Sequence, residues 1–440
     1  MTPSSSRRRR RNALLTTATI AGLALAPALA ATTSAAAATL MICPPVIEKV
    51  GQNIVQDTVD SESNPPYDTT ISAGALPDGL SITPRGTFAD QITGSPTKVG
   101  TFSFTVKIYD PFKKVSQTND CTVVVMPADF TVERIGGVDR YEESVLISKK
   151  VAPTTASVVY VASGETFTDA LSGSAVAGQR GAPLLLSASA AVPSIVGEEI
   201  TRLAPSQIVV LGGEKTLAPE VIAQLKALRP TATITRIGGV DRYEVSRNLI
   251  AHPTFGAPAS TKLYTASGTV FSDALSASPA AAKADAPVLL LNGTASALSS
   301  AEASLIAARG VTDVTLFGGA DTLSAGLESD LKSKAGTTRR IEGNDRYDVS
   351  SNTGLAFFPA ANPVETVYLA SGAVYPDALA GTSLAAKTDS PIFLAEQYCL
   401  RDDVAKQIGA LKVKKVVLLG GPDTLSTYLE SFTACVRPIA

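Results

Sequence analysis

RIGGVDRYE, at residues 134–142, is written again as RIGGVDRYE at 236–244 and once more as RIEGNDRYD at 340–348. The first residues of successive copies lie 102 and 104 positions apart. Three further phrases keep the same step. ASGETFTDAL (162–171), ASGTVFSDAL (266–275) and ASGAVYPDAL (370–379) follow the copies. PLLL, PVLL and PIFL then begin at Pro183, Pro287 and Pro391. LGGEKTL, FGGADTL and LGGPDTL come last, with first glycines at Gly212, Gly318 and Gly420. Four phrases in one order, three times over, make a genuine repeat. A period near 100 residues is that of a small domain rather than of a solenoid unit.

Each repeat alternates short apolar runs with helical patterns. In the first, strands are expected at 158–161, 183–186 and 208–211, and helices at 168–177, 194–203 and 219–228. Continuous apolar strands separated by helices predict a parallel sheet buried on both faces, a three-layer α/β module. Three such modules are expected at 130–233, 234–337 and 338–440. On burial logic alone the PLLL strands are core. Residues 43–127 read differently. Phe102, Phe104, Val106 and Ile108 alternate with polar residues, and 121–125 is a β-branched run. Turn formers at 64–66, 77–79 and 94–96 punctuate the stretch, which predicts an all-β sandwich.

The first residues read as a secretory signal: five arginines at 7–11, an apolar stretch at 13–25 and small residues for cleavage at 28–30 or in the alanine run ending at Ala38. Residues 10–15 faintly resemble a twin-arginine signal. Taking those five arginines from 38 basic residues leaves 33 against 40 acidic, a net charge of −7. Such a body does not attract nucleic acid or anionic membranes as a whole, so any anion must meet a local cluster. No later stretch has the 18 apolar residues of a membrane span, and no sorting tail or lipid anchor is visible. The expectation is an exported protein. Export permits disulfides. Of the three pairings of four cysteines, Cys43–Cys121 with Cys399–Cys435 keeps each bridge inside one domain. Each loop would stabilise by about 4 kcal/mol.

Within the repeated phrases, Asp139, Asp241 and Asp345 stand where a helix should begin, with an acid three residues on. That is close to a capping box. Arg140, Arg242 and Arg346 then fall in the first helical turn, where a cation opposes the helix dipole. Either each has a structural carboxylate partner, or it and the helix terminus face one bound anion. Arg134, Arg236 and Arg340 could supply a second fork. Asp169, Asp273 and Asp377 read as dipole compensation in the first turn of the next helix. The paired glycines at Gly212, Gly318 and Gly420 could cradle an anion with backbone N–H groups. The lone histidine, His252, lies outside every phrase and reads as a loop residue, so no metal site or cofactor is expected. No nucleophile stands with a histidine base, and three equal copies of one site suit avidity better than turnover.

The repeat resembles the type-2 cell-wall-binding repeat of Gram-positive surface proteins over 130–440. The matching phrases are RIGGxDRY, ASGxxFxDALS, APLLL and LGGxxTL, in triplicate. The resemblance implies Rossmann-like modules assembled with pseudo-threefold symmetry inside one chain. It implies noncovalent anchoring to an anionic secondary cell-wall polymer in grooves between modules. It also implies that the arginines above and the Pro-x-Leu-Leu segment bind that polymer: Pro183, Leu184 and Leu185; Pro287, Leu289 and Leu290; and Pro391. Copy three departs most, with Phe393, Glu342 and Cys399. Residues 76–110 resemble the immunoglobulin-like domains of bacterial surface proteins, through a Leu-Pro-x-Gly-Leu turn, Gly-Thr, Gly-x-Pro and a Gly-Thr-x-x-Phe strand. Such domains act as spacers or adhesive modules. The rival expectation is a surface assembly or adhesion protein whose repeats pack against one another or against other surface proteins. A wall hydrolase would need a catalytic domain for which few residues are left.

Overall fold

A computed structural model of the chain describes residues 43–59, 67–86, 88–112 and 114–435. The signal peptide expected at 1–38 lies outside them.

Among the described residues the amino-terminal domain is a sandwich of seven strands: β1 (Ile47–Lys49), β2 (Ile54–Asp57), β3 (Asp68–Gly74), β4 (Leu80–Thr83), β5 (Gln91–Gly94), β6 (Gly100–Asp110) and β7 (Val115–Met126). Its sheets run β1-β7-β6-β3 and β2-β5-β4. β6 and β7 pair antiparallel along their whole length, from Gly100↔Val125 to Asp110↔Val115. The period-2 pattern puts Phe104, Val106 and Ile108 in the core and turns Lys107 to solvent. Cys43 and Cys121 are disulfide-bonded, as are Cys399 and Cys435.

The repeats begin with β8 (Thr131–Ile135) and α1 (Arg140–Val151). The first module continues with β9 (Val158–Ser163), α2 (Thr168–Gln179), β10 (Leu184–Ser187), α3 (Ser194–Leu203), β11 (Gln207–Leu211), α4 (Pro219–Leu228) and β12 (Thr233–Ile237). The second comprises α5 (Arg242–Ala251), β13 (Lys262–Ser267), α6 (Phe271–Lys283), β14 (Val288–Leu291), α7 (Ser300–Ala308), β15 (Asp313–Phe317), α8 (Ala325–Ala335) and β16 (Thr337–Ile341). The third has α9 (Arg346–Phe357), β17 (Thr366–Ser371), α10 (Pro376–Lys387), β18 (Ile392–Ala395), α11 (Asp402–Leu411) and β19 (Lys415–Leu419). A 3-10 turn at Thr427–Ser431 stands where the other modules have a final helix.

The three parallel sheets run β10-β9-β11-β12, β14-β13-β15-β16 and β18-β17-β19-β8. The strand that opens each repeated phrase thus belongs to the sheet before it. The expected boundaries at 233/234 and 337/338 would cut β12 and β16; the sheets put the divisions after these strands. β8, placed by the sequence in the first module, pairs with β19 of the third, from Thr131↔Lys415 to Ile135↔Leu419. The third module has no closing strand of its own among the described residues, and β8 takes that edge.

Alternation along these strands separates two kinds of core. Val159, Val161, Leu185, Ile208 and Val210 face α3 and α4 in a core private to the first module. Tyr160, Leu184, Val209 and Leu211 face the other way, into a core shared by all three modules. That shared core is built on α2, α6 and α10, which pack against one another. They can do so because their inner faces are alanine, serine and glycine. A Cβ on Gly178 would lie 2.9 Å from that of Ala386. The outer face of the third sheet is covered by α11 and by the sandwich: Val46, Ile47, Val124, Met126 and Phe130 join Val404, Ile408, Leu418 and Phe432.

Candidate functional site

Each DRY phrase starts a helix at its arginine, with the preceding aspartate as cap. The Asp139 carboxylate accepts from the N–H groups of Tyr141 (2.8 Å) and Glu142 (2.9 Å), and Asp345 does the same for Tyr347 and Asp348. The returning contact differs from a capping box. Glu142 and Glu244 accept from Val138 and Val240, one residue before the cap, both at 2.6 Å.

Arg140, Arg242 and Arg346 therefore sit at the first position of α1, α5 and α9. Each donates from Nη1 to the carbonyl of the glycine that follows a strand of its own module: Gly164 (2.5 Å), Gly268 (2.6 Å) and Gly372 (2.6 Å). Glycine is required there. A Cβ on Gly268 would come within 2.6 Å of the Tyr243 ring and 3.1 Å of Arg242 Cδ. Each guanidinium also lies against an aromatic ring of the preceding module: Arg140 on Tyr375 (6.0 Å), Arg242 on Phe167 (5.8 Å) and Arg346 on Phe271 (5.3 Å). The three rings touch one another, with centroids 5.4–5.9 Å apart. They crown the amino-terminal ends of α2, α6 and α10. Three cations thus surround one aromatic triangle, and among the described residues none has a carboxylate within ion-pair distance. The aromatic position was present in every ASGxxΦxDAL phrase. Its threefold recurrence was the signal for it, although aromatics are only 5% of the chain.

Behind each ring lies a buried carboxylate. Burial raises Asp169, while the Thr216 hydroxyl and the neighbouring module's Arg242 lower it. Burial pushes Asp273 and Asp377 up to about 6, opposed by Arg346 and Arg140 respectively. Asp377 accepts from Thr424 Oγ1 at 3.1 Å. The LGGxxTL loop makes room for this carboxylate. Gly212, Gly318 and Gly420 have φ of +105°, +112° and +117°, and a Cβ on any of them would sit 2.2–2.3 Å from the aspartate Oδ2. Their N–H groups donate to the carbonyls of Ile237, Ile341 and Ile135, so the first glycine of each pair has no free N–H with which to cradle an anion. The aspartates are packing residues as well as helix-terminus acids.

Two expectations for ligand contact need correction. Arg134, Arg236 and Arg340 offer no second fork. Arg134 donates to Glu430 (2.8 Å) and to the Gly420 carbonyl, Arg236 to the carbonyls of Gly212 and Leu217, and Arg340 to Glu328 and the Gly318 carbonyl. They clamp the LGGxxTL loops. Side-chain exposures of 16% for Arg134 and 9% for Arg340 leave little surface for a ligand. The Pro-x-Leu-Leu segments are core, as burial logic predicts: Pro183, Leu184, Leu185, Pro287, Leu289, Leu290 and Pro391 are all buried. Helices on both faces of the sheet cover them. A groove between α3 and α4, lined by Val192, Pro193 and Leu228, includes none of the arginines. No group of three or more potential metal ligands occurs among the described residues, and no helix there is long and apolar enough to cross a membrane.

The family model "Cell wall binding domain 2 (CWB2)" matches residues 134–222, 236–328 and 340–430, more than half of the chain, and an Ig-domain family model matches 38–126. The N-acetylmuramoyl-L-alanine amidase LytC of Bacillus subtilis (strain 168) is 29% identical over 304 residues, 69% of this chain and 58% of that protein. The chain therefore spans little more than half of that relative's length. Among solved structures, Cwp6 from Clostridium difficile superposes with a TM-score of 0.64 at 19% identity, covering 90% of this chain and 68% of that one. Cwp8 from Clostridium difficile gives 0.58 at 20% identity, covering 83% and 62%. Both share the fold. The chain belongs to the cell wall binding domain 2 family, carrying three copies of that domain behind an Ig-like domain, and its place is the cell wall or cell surface.

Proposed function

We propose that the chain is exported and held noncovalently at the wall by an anionic wall polymer, which binds where its three modules meet. The observation that carries this reading is the ring of Arg140, Arg242 and Arg346 around the aromatic triangle, none with a carboxylate within ion-pair distance among the described residues. A guanidinium on an aromatic face keeps free donors in a partly desolvated setting, where one phosphate or carboxylate is held more firmly than in water. The amino termini of α2, α6 and α10 converge on the same end, where the buried Asp169, Asp273 and Asp377 already answer their dipoles, so the arginines are the anion-binding groups of this reading. Three such seats on one pseudo-threefold body multiply affinity through effective concentration. The Ig-like domain, seated on the third module, is then carried at the wall as a spacer or adhesive module.

The test is retention on purified Gram-positive walls, intact or stripped of anionic polymer by acid. The triple variant Arg140→Ala, Arg242→Ala, Arg346→Ala is expected to stay in the supernatant while melting as a folded protein. Pelleting of that variant with intact walls would make the arginines purely structural. We assign no catalysis to the chain, although LytC is named an amidase. Zymography on purified wall checks this, and a cleared band would overturn it. A second reading, assembly through protein contacts, draws on Phe112, 74% exposed at the tip of the β6–β7 hairpin. Lattice formation by the pure protein without polymer would favour it.

A further inference from the structure

The three seats share one design, but their acidic neighbours differ. The residue after the glycine that holds the arginine is Glu165 in the first module, Thr269 in the second and Ala373 in the third. The residue after the PLLL strand is Ala188, Asn292 and Glu396. At the first seat, Glu165 accepts from Ser189 N (3.2 Å) and Ser189 Oγ, and its carboxylate is held down further by Arg140. The Tyr375 hydroxyl, itself 3.4 Å from Arg140, donates to the Glu165 carbonyl at 3.0 Å. This seat also has Glu143 behind it, facing Asp377, where the other modules have Val245 and Val349; burial pushes it up to about 8, so it adds no charge to the seat. At the third seat, Glu396 is hydrogen-bonded to the Tyr347 hydroxyl, beside Arg346. Arg401 stacks on that tyrosine at 5.7 Å, but its nitrogens are held by Asp345, Asp348 and Asp403.

The second seat is different. In the second module the positions of Glu165 and Glu396 are held by Thr269 and Asn292, neutral groups able to hydrogen-bond. The acid nearest Tyr243 beyond the helix cap, Glu302, is paired with Arg247 at 3.7 Å and accepts from Ser299 N at 2.7 Å. Its charge is already answered.

We propose that the Arg242 seat is the principal anion site, and that Glu165 and Glu396 are specificity-determining residues that weaken the other two. An ionised carboxylate near a guanidinium, even beyond ion-pair distance, competes with the ligand's own charge and repels it. At the Arg242 seat the ligand meets a cation whose acidic neighbour is the buried Asp169, matched by Asp273 and Asp377 at the other two seats, with no counterpart of Glu165 or Glu396. That environment suits an anionic group on a hydroxyl-bearing chain, such as a glycan phosphate. The ranking rests on the wall-anchoring reading above.

Single Arg→Ala variants, assayed for retention on the same intact and acid-stripped walls, test it. Arg242→Ala is expected to lose at least about fivefold in apparent affinity, and Arg140→Ala and Arg346→Ala about twofold or less. The double variant Glu165→Thr, Glu396→Asn, which copies the second seat into the others, is expected to gain about threefold or more and to bind with a steeper salt dependence. Glu165→Gln with Glu396→Gln repeats that test without a change of side-chain size, and thermal melting confirms folding. Equal losses from the three single variants, or no gain from either double, would overturn the ranking. If the triple arginine variant abolishes retention while the singles are equal, only the ranking falls. If the triple still pellets, the anchoring reading falls with it.

Discussion

Glu143 holds the position that Val245 and Val349 occupy in the other modules, and it is just as buried. One carboxylate oxygen accepts from Gly137 N at 2.6 Å, while the other has no hydrogen-bond partner among the described residues. Burial, and then Asp377 across the junction, push this group up to about 8, against the pull of Arg134. The folded state therefore keeps a proton that the unfolded chain releases near the usual carboxylate range. Its contribution to stability is complete below that range and is lost as pH rises through about 8. Asp377, at about 6, and Glu48 of β1, at about 7, act with the same sign. Replacing Glu143 by the valine of its sister modules should raise Tm by about 2–4 °C at pH 8, with a smaller gain at pH 5. Scanning calorimetry at both pH values checks this. Equal gains would mean that packing, not ionisation, separates the two side chains.

The helices and most strands of the modules are legible from periodicity, because each is a local pattern. α3 and α4 begin and end where the sequence puts them. What is not local is not legible. A strand in a parallel sheet chooses its neighbour across a whole crossover, so nothing inside TITRI states that β12 completes the sheet behind it rather than the one ahead. The same holds for the site. Arg134 and Arg140 look alike in sequence, yet the first is taken up by backbone carbonyls and Glu430, which have no sequence pattern. The paired glycines show how much a loop owes to its partner element. Gly318 has a left-handed backbone, with the Asp273 carboxylate where a side chain would begin. Gly319 has open space. Gly318→Ala should therefore cost about 1–3 kcal/mol, and Gly319→Ala less than about 0.5 kcal/mol. Urea unfolding of the two variants compares them, and similar losses would contradict this assignment.

Over the whole molecule, the ring of modules is closed by contacts between its first and last elements. β8 lies on β19, Arg134 holds the Gly420 carbonyl, and Lys387 at the end of α10 donates to the carbonyls of Lys150 (3.0 Å) and Val151 (2.8 Å). These partners are more than 200 residues apart in sequence, so closure waits on nearly the whole repeat region being present. The Arg140 seat is assembled by the same closure, because its ring, Tyr375, comes from the third module. Stability of the junction and competence of that seat are thus one property. A chain beginning at Gly137 lacks β8 and leaves β19 as an unpaired, apolar edge, which invites pairing with another chain. It should associate, as read by light scattering, and should melt below the full chain. A chain beginning at Ala128 loses only the sandwich and keeps the strand. It should retain the closed ring and its wall binding, with a lower Tm from the exposed Val404, Ile408 and Phe432 face. A monomeric Gly137 chain with the full chain's melting temperature would show that β8 does not hold the ring shut.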